Sequence, residues 1–254
     1  MLLAHELHGS AGLDAKQIVL IHGITESRHT WRPILDRLSL SYRVLAVDLR
    51  GHGESAHGEA YDPMSYAGDV VETMASVGFS MPIVVGHSLG GMVASAVAAL
   101  GGAGAVLNVD QPLRLASFKD GLAMLEPMLK SDEASFFSGI GAMFSMMDGE
   151  LPASERTRIL AHGRANQAVV LGTWASVFAS TAEELDASVS ALASAITVPY
   201  LSLHGIDPGP EYAPWLTGLV PTATVEIWPG LGHYPHLVNV DRFITRLETF
   251  CATV

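Results

Sequence analysis

The chain has 254 residues, 49% of them hydrophobic and 16% charged, with a formal net charge of −12, enough to bury a full core as one large domain with an insertion. Such an acidic surface repels phosphate backbones and anionic lipid headgroups, so neither nucleic acid nor a membrane is an expected partner. Cys251, the single cysteine, excludes an intrachain disulfide, and the start MLLAHELHG lacks the basic region, apolar stretch and cleavage site of a secretory signal, so the expected compartment is the cytoplasm.

Taken in chain order, Leu2–His8 reads as one short strand. Apolar runs of strand length follow at Gln17–Ile21, Arg43–Val47, Pro82–Val85, Ala105–Val109, Val198–Leu203 and Thr224–Trp228. They are short and several are β-branched, as in strands buried on both faces. Between the early ones, Trp31, Ile34, Leu35 and Leu38 recur at helical spacing, as do Val70, Met74 and Val77. Alternation of this kind predicts an α/β fold: a mostly parallel central sheet flanked by helices. The uncharged stretch from Leu89 to Val109 approaches bilayer length, but its Gly, Ala and Ser content and the Gly101-Gly102 break predict a buried helix followed by a buried strand.

The alternation stops between Pro112 and Ala195, where helix-like segments near Arg114–Leu129, Ala134–Met147, Ser154–His162, Gln167–Ser180 and Glu183–Ala195 succeed one another. The expected organisation is a core of residues 1–111 and 196–254 carrying a helical cap insertion, 112–195.

The strand Pro82–Val85 runs into Gly86-His87-Ser88-Leu89-Gly90-Gly91 and then into a helix-compatible segment. This is G-x-S-x-G in a strand–turn–helix setting. A serine on so sharp a turn takes a strained backbone, and the residues two before and two after it must be small for strand and helix to approach. Its oxygen then stands at a helix N-terminus, where the dipole favours developing negative charge. Ser88 is therefore the candidate nucleophile.

Three further segments join this one in order: His22-Gly23 after the first strong strand, Asp48-Leu49-Arg50-Gly51-His52-Gly53-Glu54-Ser55, and Gly232-His233-Tyr234-Pro235-His236 near the C-terminus. Together they resemble the α/β-hydrolase superfamily, in a serine esterase or lactonase-like branch with a helical cap. The resemblance covers nearly the whole chain and implies a Ser, acid, His order. A serine hydroxyl needs a general base, and the resemblance gives that role to His233, with His236 as competitor. Asp207, after the penultimate strand, is the first candidate for the orienting acid. Many relatives place two residues between glycine and aspartate, whereas Gly205-Ile206-Asp207 has one, so Asp110 stays open as the alternative and Glu211 ranks third. The resemblance places the oxyanion donors at the backbone N–H groups of Ile24 and Leu89. It gives Asp48 and Arg50 a loop-holding role.

The insertion is rich in methionine and aromatic residues. Met143, Met147 and Trp174, with Tyr234, are the candidate pocket residues, since methionine suits a yielding apolar surface. No metal-ligating cluster or cofactor motif is recognised: His233 and His236 lack a carboxylate cluster, and Gly101-Gly102-Ala103-Gly104 precedes a strand instead of following one. The expected function is hydrolysis of a carboxylic ester or lactone of a small to medium hydrophobic substrate through an acyl-enzyme. Carbon–carbon bond hydrolysis, amide hydrolysis and perhydrolysis use the same triad, and a low-turnover ligand receptor on this fold is the alternative of a different class. The oligomeric state is unknown.

Overall fold

The computed structural model describes residues 1–9 and 15–254. Seven strands, β1 (His5–His8), β2 (Gln17–Ile21), β3 (Arg43–Val47), β4 (Ile83–His87), β5 (Ala105–Val109), β6 (Tyr200–His204) and β7 (Ala223–Ile227), form one sheet in the order β1-β3-β2-β4-β5-β6-β7. β1 pairs antiparallel with β3 and all other pairings are parallel. Among the described residues, β1 is the one strand that precedes β2. Every residue of the central strands β4, β5 and β6 is buried, which explains why their sequences are continuous apolar runs instead of alternating ones.

Alternate residues of the strands face two helical layers. Ile18, Leu20, Val44 and Ala46 pack with Trp31, Ile34, Leu35 and Leu38 of the segment ending in α1 (Arg32–Leu38) and with Phe243, Leu247 and Phe250 of α12 (Val240–Thr253). Val19, Ile21, Leu45 and Val47 face the other way, onto Val70 and Met74 of α2 (Pro63–Ser76) and Val93 and Val97 of α3 (Leu89–Ala99). The uncharged Leu89–Val109 segment is accordingly α3 followed by β5. Among the described residues no helix is long and apolar enough to cross a membrane.

Between β5 and β6 six helices are inserted: α4 (Ala116–Leu129), α5 (Glu133–Met147), α6 (Ala153–His162), α7 (Gln167–Thr173), α8 (Ala175–Ala179) and α9 (Ala182–Ser194). Local chemistry sets their starts. Asp132 accepts the Ser135 N–H at 2.9 Å ahead of α5, and Thr181 and Glu184 form a reciprocal capping box on α9. The helix expected over 167–180 is divided at Trp174 into α7 and α8. The apolar periodicity runs through the break, but the chain turns there and sets the Trp174 ring edge-on to Phe118, centroids 5.7 Å apart. After β6 come α10 (Tyr212–Leu219) and, past β7, the short α11 (Pro235–Val238) ahead of α12.

Strand order reverses at β2, which has β3 on one side and β4 on the other. In open α/β sheets the crevice outside the carboxyl ends of the strands at such a reversal is where ligands bind. The loops leaving β2 and β4 begin at His22 and Ser88.

Candidate active site

Ser88 sits between the last residue of β4 and the first of α3, with φ 52° and ψ −124°. Its N–H donates to the Val109 carbonyl on β5 at 2.9 Å, so the strained turn is held by the neighbouring strand. The flanking glycines are obligatory for steric reasons. A Cβ on Gly86 would overlap the Gly90 carbonyl, and one on Gly90 would overlap the carbonyl of Ile21 on β2.

Asp110 leaves β5 in an equally unusual conformation, φ 52°. Its N–H is tied to Leu203 of β6 at 2.7 Å, and its Oδ2 lies 2.6 Å from His233 Nδ1. The other carboxylate oxygen accepts the N–H groups of Gly205 at 2.7 Å and Ile206 at 3.0 Å. Burial alone would raise the Asp110 pKa, but the hydrogen bond and charge of His233 and the Ile206 N–H hold it below the ordinary carboxylate value. With Nδ1 so engaged, His233 Nε2 is buried and has no hydrogen-bond partner. Ser88, Asp110 and His233 line one cavity.

Asp207 does not reach His233. Gly205 and Ile206 turn their amides inward to Asp110, and the next residue is carried outward. Asp207 is exposed and accepts the Gly209 N–H at 2.8 Å within its own turn. The carboxylate that meets the imidazole is thus Asp110, the alternative, and not the expected Asp207. Glu211 stands at the N-terminus of α10 and lines the same cavity without contacting His233. His236 is fully buried between Trp31 and Phe243, with ring centroids 4.8 and 5.8 Å away and both ring nitrogens unpartnered. Burial, with His87 beside it, pushes its pKa well below the ordinary histidine value.

Ile24 and Leu89 line the cavity together with Ser88. Leu89 opens α3, where N–H groups precede the helical ladder. The loop bearing Ile24 is fixed by His22, whose Nδ1 lies 2.7 Å from the Gly23 carbonyl while Nε2 accepts the Leu49 N–H at 3.0 Å. Asp48 and Arg50 hold the neighbouring loop. Asp48 accepts the N–H groups of Arg28 and Glu54 and pairs with the Arg28 guanidinium, and Arg50 bridges to both oxygens of Asp69.

The cavity measures about 810 Å³, within the range of small-molecule sites. Met143, Met147 and Trp174 line it together with Leu115, Phe118 and Val177. Tyr234 is not among its walls, a second correction. Its ring is buried behind His233 and its hydroxyl donates to Glu26 at 3.0 Å. A tyrosine hydroxyl that can find a buried carboxylate is drawn to it and not to an apolar cavity. The mouth is acidic, with Asp62, Glu184, Asp207 and Glu211 against the single cation Arg114. The insertion also touches the loop bearing His233 directly: the His233 N–H donates to the Met147 carbonyl at 2.8 Å. Among the described residues no group of three or more His, Cys, Asp or Glu could hold a metal ion.

Residues 18–246 match the alpha/beta hydrolase family. The chain belongs to that family. Among relatives of this alpha/beta hydrolase, Epoxide hydrolase 4 of Mus musculus is 39% identical over 93 residues, 35% of this chain and only 26% of that protein's length. The non-heme haloperoxidase of Rhodococcus erythropolis is 27% identical over 266 aligned residues, covering 93% of this chain and 92% of the relative. The crystal structure of the enol-lactonase from Burkholderia xenovorans LB400 superposes with a TM-score of 0.68 at 23% identity, over 98% of this chain and 96% of that one, a likeness of fold.

Proposed function

We propose that this alpha/beta hydrolase cleaves a carboxylic ester or lactone of an uncharged, hydrophobic small to medium substrate through an acyl-enzyme. The observation that carries the reading is the His233 imidazole, its Nδ1 held by Asp110 and its Nε2 bare, in one cavity with a serine on a strained strand–helix turn. In this reading Ser88 Oγ attacks the carbonyl carbon as its proton passes to His233 Nε2, and the oxyanion accepts the N–H groups of Ile24 and Leu89. The carbon–oxygen bond to the leaving group breaks and His233 returns the proton to the departing alkoxide. Water, deprotonated by His233, then attacks the acyl-enzyme, and Ser88 recovers its proton as the acid leaves. Asp110 stays ionised throughout and holds the imidazole in the tautomer that accepts at Nε2.

The apolar walls and acidic mouth support an uncharged substrate, since an anionic one would meet four carboxylates before reaching Ser88. Ser88 itself weighs against the chemistry of the epoxide hydrolase relative, because epoxide opening on this fold uses an aspartate at the elbow. The haloperoxidase relative favours one second reading, perhydrolysis, in which hydrogen peroxide replaces water in attacking the acyl-enzyme and a peracid leaves. Release of nitrophenol from a series of uncharged acyl esters tests the proposal, with Ser88→Ala reducing it to background. Turnover that survives Ser88→Ala, or saturable ligand binding with no turnover of any ester, amide or peroxide couple, would overturn it.

A further inference from the structure

Behind His233, on the side away from the cavity, lies a buried polar cluster that the proposed reaction does not use. Glu26 is 1% exposed, four residues past the first residue of the oxyanion loop. One of its oxygens accepts the Gly23 N–H at 3.0 Å, next to Ile24. The other accepts the Tyr234 hydroxyl at 3.0 Å, next to His233, and lies 3.4 Å from Nδ1 of His87, next to Ser88. His87 in turn donates from Nε2 to the main-chain carbonyl of His233 at 2.8 Å. One carboxylate thus touches the chain neighbours of the nucleophile, the general base and an oxyanion donor.

We propose that Glu26 is a positioning residue that locks these three loops in register, with His87 and Tyr234 as its arms; the inference rests on the serine hydrolase reading of Ser88 and His233. A buried ionised carboxylate without partners would be strongly destabilising, so its three contacts must form together, and none can move without stranding the others. Burial would raise the Glu26 pKa, and His87 outweighs it and lowers it. Burial would lower the His87 pKa, and Glu26 raises it. Each partner thus favours the charged form of the other, with His233, Tyr234 and His236 as the rings packed against His87. Gly23 completes the fit: a Cβ there would lie 2.9 Å from Glu26 Oε1 and 3.2 Å from His87 Nδ1.

Two readouts test this, the labelling rate of Ser88 by a fluorophosphonate probe, which needs no knowledge of the substrate, and steady-state hydrolysis of p-nitrophenyl butyrate. Misplacing reacting groups by about an ångström costs on the order of 100-fold. Glu26→Ala should lower both the labelling rate and kcat by about that factor while KM stays within about threefold. Glu26→Gln keeps an acceptor for Gly23 and should recover roughly a factor of ten, and Tyr234→Phe, which cuts one arm, should lose less than Glu26→Ala. Parental labelling rates in folded Glu26→Ala and Tyr234→Phe, or a change in KM alone, would overturn the proposal. If Glu26→Ala does not fold, parental rates in both Glu26→Gln and Tyr234→Phe overturn it. A parent protein unlabelled at Ser88 refutes the serine hydrolase reading, whereas a labelled parent with equally labelled variants refutes only the role of Glu26.

Discussion

Asp110 meets His233 across 123 residues of chain, Oδ2 to Nδ1 at 2.6 Å, while its second oxygen is saturated by two main-chain N–H groups at the end of β6. The carboxylate cannot rotate away without stranding those amides, so the imidazole orientation is fixed from the sheet itself. Asp110→Asn should leave the fold intact and lower kcat by about 10⁴, because the amide can present an N–H to Nδ1 and enforce the wrong tautomer. Asp207→Asn should leave kcat near the parental value. Ester turnover of the two purified variants decides between them, and the reverse ranking would return the acid to Asp207.

The register of that contact marks where the sequence stops being legible. The fold was readable because six strands are apolar runs and the nucleophile turn needs glycines at fixed offsets, both consequences of backbone sterics. The carboxylate that meets His233 was not, because Asp110 and Asp207 both follow strands and the choice depends on whether the chain after β6 turns its amides or its carboxylate inward. Backbone strain would have pointed to the answer. Among the described residues four non-glycine residues have positive φ, Thr25, Met81, Ser88 and Asp110; Ser88 and Asp110 line the cavity, and Thr25 follows Ile24, which does too. Such strain persists where structure over-determines it, often at functional sites. The sequence motif likewise could not show that Tyr234 turns to Glu26, since the partner lies 208 residues away.

Acid should unfold the protein earlier than its carboxylates alone would. Burial pushes His204 down to about 4 and His52 to about 3, and lowers His236 and His22 as well. These rings stay neutral in the folded chain but take up protons when it unfolds, near the ordinary value of 6.5. Below that pH the unfolded state binds more protons, so stability falls as pH falls. One unit below 6.5 each of His52 and His204 costs about 1 kcal/mol, roughly 2 kcal/mol together, with His236 and His22 adding in the same direction. His87 works oppositely: its raised pKa gives stability present below 6.5 and lost as pH rises through its folded value. The lowered carboxylates Glu26 and Asp110 lose their contributions only at still lower pH. Urea midpoints between pH 7.5 and 5 should therefore drop mainly below 6.5, and a flat profile down to 5 would refute the assignment of neutral buried rings.

Gly149 and Gly232 should tolerate no side chain, because they bring the insertion and the base loop into backbone contact. Both have positive φ, 55° and 66°, and a Cβ on Gly149 would lie 2.6 Å from the Gly232 Cα. Gly149→Ala must push the chain after α5 away from His233, whose N–H is bonded to Met147. The expected loss is about 1 to 3 kcal/mol of stability and at least about tenfold in kcat. Gly141→Ala is the control. It lies within α5 with open space where its Cβ would go, and should gain roughly 0.5 to 1 kcal/mol by removing glycine from a helix interior. Thermal unfolding and kcat of the two variants check both signs.

The cavity walls should set acyl-chain preference. Each methylene buried there is worth about 0.8 kcal/mol, roughly fourfold in kcat/KM, until the wall is reached. Trp174 is buried at 6% exposure and braced by Phe118, so it forms a rigid wall of the apolar space. Trp174→Leu should extend the increase in kcat/KM to longer acyl chains, at a lower cost in stability than the 3 to 5 kcal/mol typical of truncation to alanine. Met143→Trp, on another wall of the cavity in α5, should move the maximum to shorter chains. Neither change alters Ser88, Asp110 or His233, so kcat/KM on an acetyl ester should stay near the parental value while the profile shifts in opposite directions. A parallel loss across all chain lengths would mean that these side chains support the fold and do not bound the substrate.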